Sequence, residues 1–141
     1  MATSTEYRFP GVVTRVVDGD TIVAEVLVAA AFHETWKAER VWRLNGCNAR
    51  ELRDPTGGGR AAKANLEAIL PIGLPVVISS VSVDPYTSSL YESARYEATV
   101  TLSGGVDLVT LLVTTGWAAA WDGVTQPRPL PPWPRQDEAH P

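Results

Sequence analysis

The sequence predicts an α+β fold in which a strongly bent, five-stranded sheet carries two or three helices. Segments rich in β-branched residues recur at 9–17, 21–28, 40–44, 76–83 and 96–102, and several of them partly alternate. Between the third and fourth lies "RAAKANLEAIL", whose apolar residues repeat at three and four, the period of a helix face. The chain has 141 residues and 45% hydrophobic content, which suits one domain with its own core.

Taken in order, the first two strands are joined by "DGD", which is turn chemistry, and the second reads "TIVAEVLV". Residues 29–38, "AAAFHETWKA", read either as a helical turn or as a long hairpin loop leading to the third strand. After the turn-rich "DPTGGG", a helix over 60–70 places Ala61, Ala62, Asn65, Leu66, Ile69 and Leu70 on and around its apolar face, and Pro71 and Gly73 close it. The fourth strand, "VVISSVSV", is separated from the fifth, "YEATVTL", by the polar stretch "DPYTSSLYESAR". "SGG" then turns the chain into 106–115, which has the length of a helix although its β-branched residues weigh against one, and Gly116 suits the C-cap.

From Asp122 onward the sequence holds six of the chain's eleven prolines, so it can be neither a helix nor a central strand. A polyproline-like or disordered tail is expected over 122–141, following a domain at 9–121 and an N-terminal arm at 1–8. The element order, with a helix between strands three and four, is that of the oligonucleotide-binding barrel, whose sheet face commonly meets nucleic acid. Such a fold supplies no chemistry by itself.

Composition narrows the chemistry. Cys47 is the single cysteine, so an internal disulfide and a cysteine-built zinc site are excluded, and a buried apolar thiol is expected. His33 and His140 lie far apart, which leaves a histidine metal site or a histidine-based triad without material. Carboxylates and arginines remain. The net charge of −4 is not the footprint of a nucleic-acid binder; ten arginines against two lysines supply the residue that grips phosphate bidentately, although a GC-rich genome produces the same bias and accounts for the larger share of it. No apolar run reaches about 18 residues, and "MATSTEYRFPG" lacks the basic and apolar regions of a signal peptide. No membrane span is therefore expected, and the mature chain is expected to start at or near Met1, in the cytoplasm or in a virion.

"VVDGDTIVAEV" (16–26), "WRLNGCNARE" (42–51), the "AAKANL" helix and "ARYEATVTLSGGVDLVTLLVTTGWA" (94–118) together resemble the staphylococcal nuclease, or thermonuclease, family across roughly 9–121. "DGDT" alone would say little. Followed by "RLxGxxAxE" and closed by "GWA", it is a specific pattern. The resemblance implies an oligonucleotide-binding barrel that hydrolyses phosphodiester bonds of DNA and RNA with one calcium ion. It implies Asp20 as the first calcium-binding carboxylate, with Asp18 and Thr21 in support, and Ala49 as a backbone-carbonyl ligand. It implies Arg43 and Arg95 as the phosphate-binding arginines and Glu51 as the carboxylate that activates water. Asn48 stands where the family's second calcium-binding aspartate is expected.

Elementary chemistry supports the same residues. Calcium takes six to eight oxygen ligands, of which Asp20 and the Asn48 amide oxygen can supply two, with water and phosphate completing the set. Glu51 can orient or deprotonate water, and two guanidiniums can meet the charge that grows on the phosphoryl group. Asparagine in place of aspartate removes a negative charge, so weaker calcium binding, or preference for another divalent ion, is expected. The family's Asp-x-Tyr-Gly-Arg signature has no continuous counterpart before Arg95, where the sequence looks opened by an insertion. Tyr86 and Tyr91 in that stretch are candidates for stacking on a base. The proline-rich tail replaces the helix expected after "GWAAAW", and "PLPPWP" is placed to fold back and cover Trp117 or Trp121.

Two functions of different class follow. One is a metal-dependent endonuclease acting on DNA or RNA. The other is a barrel whose cleavage has faded and which binds or builds within a larger assembly such as a virus particle, its tail docking a protein partner.

Overall fold

The computed structural model describes residues 7–83 and 95–122, together with Leu130 and Trp133. Its chain order is β1 (Tyr7–Asp18), β2 (Thr21–Ala31), β3 (Glu34–Leu44), β4 (Cys47–Ala49), α1 (Gly58–Ile69), β5 (Pro75–Val83), β6 (Arg95–Thr101), α2 (Leu108–Thr114) and β7 (Ala118–Ala120). Five strands close a mixed barrel in the order β1-β2-β3-β6-β5, while β4 and β7 form a separate two-stranded sheet. All neighbours in the barrel are antiparallel except β3 and β6.

Closure depends on β1 serving two partners. Its first half, from Tyr7 to Val12, pairs with β5, and from Gly11 onward it pairs with β2. The strand must bend where the two ladders overlap. Gly11 sits there, and a Cβ on it would come within 2.9 Å of the Glu25 carbonyl oxygen, so the close approach of β2 requires glycine. Register shifts between Val13 and Arg15, Leu27 and Ala29, and Ser80 and Ser82 add the local twist that curls a sheet onto itself.

The core fills the barrel and the space beneath its helices. Val13, Ile22, Leu44, Ile78 and Val100 from the strands meet Leu66 and Leu70 at α1 and Leu108 and Leu112 of α2, all nearly inaccessible. Trp42 is buried as well, its indole N–H donating to the Ala24 carbonyl at 3.3 Å, which satisfies the polar end of an otherwise apolar ring.

The expected strands are all present, and the ambiguous stretch 29–38 is a hairpin. β2 and β3 stay paired beyond the shift at Leu27 and Ala29 as far as Ala31 and Glu34, joined by Phe32 and His33 in the left-handed region (φ 53° and 65°). Such a two-residue turn normally draws on asparagine and glycine, which is why the sequence did not announce it. The first helix begins at Gly58, two residues before the expected start. The second begins after Asp107, whose carboxylate accepts from the Thr110 N–H at 3.0 Å, and it ends at Thr114, two residues before Gly116. There the Trp117 N–H reaches the Leu112 carbonyl and the Gly116 N–H the Val113 carbonyl, a paired C-cap that a left-handed glycine (φ 84°) permits. Among the described residues there are two helices, and neither is long and apolar enough to cross a membrane. Most of the expected tail lies outside the described residues, but Trp133 packs on Trp117, as the fold-back expectation required.

Candidate metal and phosphate site

One corner of the barrel gathers residues from three distant parts of the sequence. The β1–β2 turn brings in Asp18 and Asp20, and its conformation is fixed by the Asp20 N–H donating to Asp18 Oδ1 at 3.1 Å. Gly19 between them is tightly enclosed: a Cβ there would lie 2.8 Å from the Ala49 and Ala62 methyl carbons. The turn is thereby wedged between β4 and α1. Asp20, 8% exposed, points back into this corner. One carboxylate oxygen accepts from the Ala49 N–H at 2.9 Å and the other from the Thr21 hydroxyl at 3.1 Å.

Arg43 arrives from β3, where it pairs with Thr21 on one side and Glu97 on the other. After Leu44 the chain reverses through Asn45 and Gly46 (φ 98°) into β4. That reversal turns two carbonyls toward the guanidinium. Nη1 donates to the Leu44 and Cys47 carbonyls at 3.0 and 3.2 Å. Nη2 donates to Asn48 Oδ1 at 3.2 Å and stands 3.4 Å from the Asp20 carboxylate. The guanidinium carbon also lies 5.4 Å from the ring centre of Trp121, just past β7, and the Trp121 backbone N–H donates to the Gly46 carbonyl. Arg43 is therefore aimed by backbone, amide, carboxylate and indole together.

Burial sets the electrostatics. The Asp20 carboxyl is pushed up from an ordinary 3.8 to about 6, first by its desolvation and then by the neighbouring Asp18, against the opposing pull of Arg43 and the Ala49 N–H. The Cys47 thiol, wholly buried, is pushed up to about 12 by desolvation and by Asp20. It is an inert packing group, as expected of a thiol without a thiolate.

The other expected residues are placed differently. Glu51 is exposed, and its carboxylate is paired with Arg53 at 2.6 Å. Its backbone is nonetheless firmly held: the Glu51 carbonyl accepts from Asp54 N–H at 3.0 Å and is packed against Gly59. Arg95 opens β6, its backbone paired with Val41, two residues along the strand from Arg43. Tyr86 and Tyr91 lie outside the described residues. The structure thus unites Asp18, Asp20, Thr21, Arg43, Asn48 and Ala49, and it adds Trp121, which the sequence did not assign to the site. Trp121 stands one residue past β7, a strand the sequence does not announce, so no signal in the sequence pointed to it.

The donors in this corner are all oxygen, which suits a hard cation such as calcium or magnesium rather than zinc. Among the described residues no three His, Cys, Asp or Glu side chains gather into a metal-binding group. At most a weakly held ion fits these residues: burial and Asp18 disfavour the negative charge of Asp20, and Arg43 already supplies one positive charge beside it. No protein-family model matches the chain, and no curated protein matches it.

Proposed function

We propose that this protein is a metal-dependent endonuclease that hydrolyses phosphodiester bonds of DNA or RNA, built on an oligonucleotide-binding barrel of the staphylococcal nuclease type. The observation that carries the reading is the convergence of Asp20, Arg43, Asn48 and Ala49, separated by up to 29 residues, in one hydrogen-bonded corner. Two of these are the acidic and the basic group that the chemistry asks for, and both are fixed before any substrate arrives.

Asp20, the Asn48 amide oxygen and the Ala49 carbonyl would hold a calcium ion, which when bound polarises the phosphoryl oxygen and draws water toward it. Arg43 presents a guanidinium already oriented by two carbonyls and by Trp121, so little reorganisation is spent when a phosphate meets it. Glu51 takes the proton of the attacking water as the new P–O bond forms and the ester P–O bond breaks, and it must leave Arg53 to do so. Arg95 offers the second positive charge to the phosphoryl oxygens and the leaving group.

A second reading is favoured by a specific feature: Asn48 Oδ1 and the Asp20 carboxylate are both engaged by Arg43, and Glu51 by Arg53. A corner satisfied in this way also suits a barrel that binds or builds within a larger assembly, with the tail reaching a protein partner. The two are separated by cleavage of labelled DNA and RNA by wild type, Glu51→Gln and Arg95→Ala. The nuclease reading expects metal-dependent cutting that falls by about 10²-fold or more in Glu51→Gln with the fold intact. Equal turnover in all three sinks the assigned roles.

A further inference from the structure

The tail meets the folded domain beside the candidate site. Trp133 stacks on Trp117 with ring centres 4.9 Å apart and planes tilted by 34°, and the Arg50 guanidinium carbon stands 5.4 Å from the Trp133 ring centre. Arg50 directly follows β4, and Trp117 directly precedes β7. Because Ala49 pairs with Ala118 in that antiparallel sheet, Arg50 and Trp117 flank the same end of it. Trp133 covers that end and touches the continuation of both strands.

The same place explains glycine inside a helix. A Cβ on Gly58 would collide with Arg50 Cδ and come within 2.9 Å of both Asp54 Oδ2 and Trp133 Cβ. The first turn of α1 is thus a notch into which Arg50 lies, 6% exposed, with Trp133 over it. A sheet of two three-residue strands holds few hydrogen bonds of its own, so its geometry depends on what packs at its ends. At one end Trp121 lies on Arg43, and at the other Trp133 lies on Arg50.

We infer that Trp133 is a positioning residue for the candidate site: it holds Arg50, and through Arg50 the backbone that presents the Ala49 N–H to Asp20 and begins the turn carrying Glu51. The catalytic consequence rests on the nuclease reading, whereas the positioning itself does not. Trp133, far along the chain, is in this way part of the site's support.

The test uses full-length Trp133→Ala and Trp133→Phe, read by amide hydrogen exchange and by cleavage kinetics. In Trp133→Ala, exchange over 49–54 and 117–118 should quicken by about tenfold or more while barrel amides such as those of Ile22 and Ile78 keep their protection. Turnover should fall by about 10- to 100-fold with KM within about twofold, the cost of a misplaced rather than a missing group. Trp133→Phe, which keeps an aromatic face, should restore most of both. Unchanged exchange at 49–54 in Trp133→Ala overturns the inference, as does a Trp133→Phe no better than the alanine variant or exchange that quickens equally throughout the barrel. A wild type that does not cleave would defeat the nuclease reading alone, since exchange still decides whether Trp133 positions the turn.

Discussion

Asp20→Asn should make the metal-free protein more stable, and by an amount that depends on pH. The Asp20 carboxyl titrates near 6 in the folded chain, against 3.8 ordinarily, because burial and Asp18 oppose its charge more than Arg43 and the Ala49 N–H favour it. Between those two pH values the folded state keeps a proton that the unfolded chain has released. Stability is therefore greatest below the unfolded pKa and declines as pH rises through the folded one. At about 1.36 kcal/mol per pH unit, the difference costs on the order of 3 kcal/mol at pH 7.5 and about 1 kcal/mol at pH 4.5. Asparagine removes that cost with the same shape: its oxygen can accept from the Ala49 N–H, and its amide can donate to Asp18. Urea unfolding at the two pH values measures the effect directly, and a gain of about 3 kcal/mol corresponds to roughly 10 °C or more in Tm for a domain of this size. An Asp20→Asn variant that is destabilised at pH 7.5, or stabilised equally at both pH values, would overturn this prediction. The first outcome would mean that the Arg43 ion pair outweighs the cost of burying the carboxylate.

Other variants probe the frame. Replacing Phe32 and His33 by Asn and Gly should stabilise the protein by about 1–2 kcal/mol in urea unfolding, since both occupy left-handed conformations and the Phe32 ring, 90% exposed, gives up no packing. Gly59→Ala should cost about 1–3 kcal/mol in the same assay, at the upper end because the new methyl group meets the Glu51 backbone carbonyl rather than a movable side chain. Calcium should raise the Tm of wild type, roughly with the logarithm of its concentration once above the Kd, and leave that of Asp20→Asn nearly unchanged, as followed by differential scanning fluorimetry.

Much of the barrel could be read from the sequence because its strands are long and carry their own signal. "TIVAEVLV" and "VVISSVSV" form strands by composition, and Leu66 and Leu70 declare the buried face of α1 by their spacing. The two short strands could not be read. "CNA" and "AAA" have little β-propensity, and they are strands only because Ala49 and Ala118 meet once the barrel has brought them together. The run 57–59 looked like a turn, yet Gly58 and Gly59 lie inside α1, because Arg50 and the Glu51 carbonyl occupy the space side chains would need. The site was legible where a motif is local, as in "DGDT" and the Arg43-to-Asn48 spacing. It was illegible where an aromatic ring from elsewhere covers a cation. Neither Trp121 over Arg43 nor Trp133 over Arg50 leaves a pattern in sequence, since stacking fixes only a distance in space.

Whether this corner cleaves phosphodiesters is decided by comparing wild type with Asn48→Asp on labelled single-stranded DNA, duplex DNA and RNA, with calcium, magnesium, manganese or chelator. The added carboxylate supplies a second charged oxygen donor beside Asp20 and faces Arg43 Nη2, which now stands 3.2 Å from the amide oxygen. The nuclease reading expects cutting by wild type that chelator abolishes, and cutting by Asn48→Asp at about tenfold lower calcium or less. Metal-dependent cutting by Asn48→Asp but none by wild type would place the present protein with the binding and assembly reading. No cutting by either, under any of these ions, would remove phosphodiester chemistry from this corner altogether.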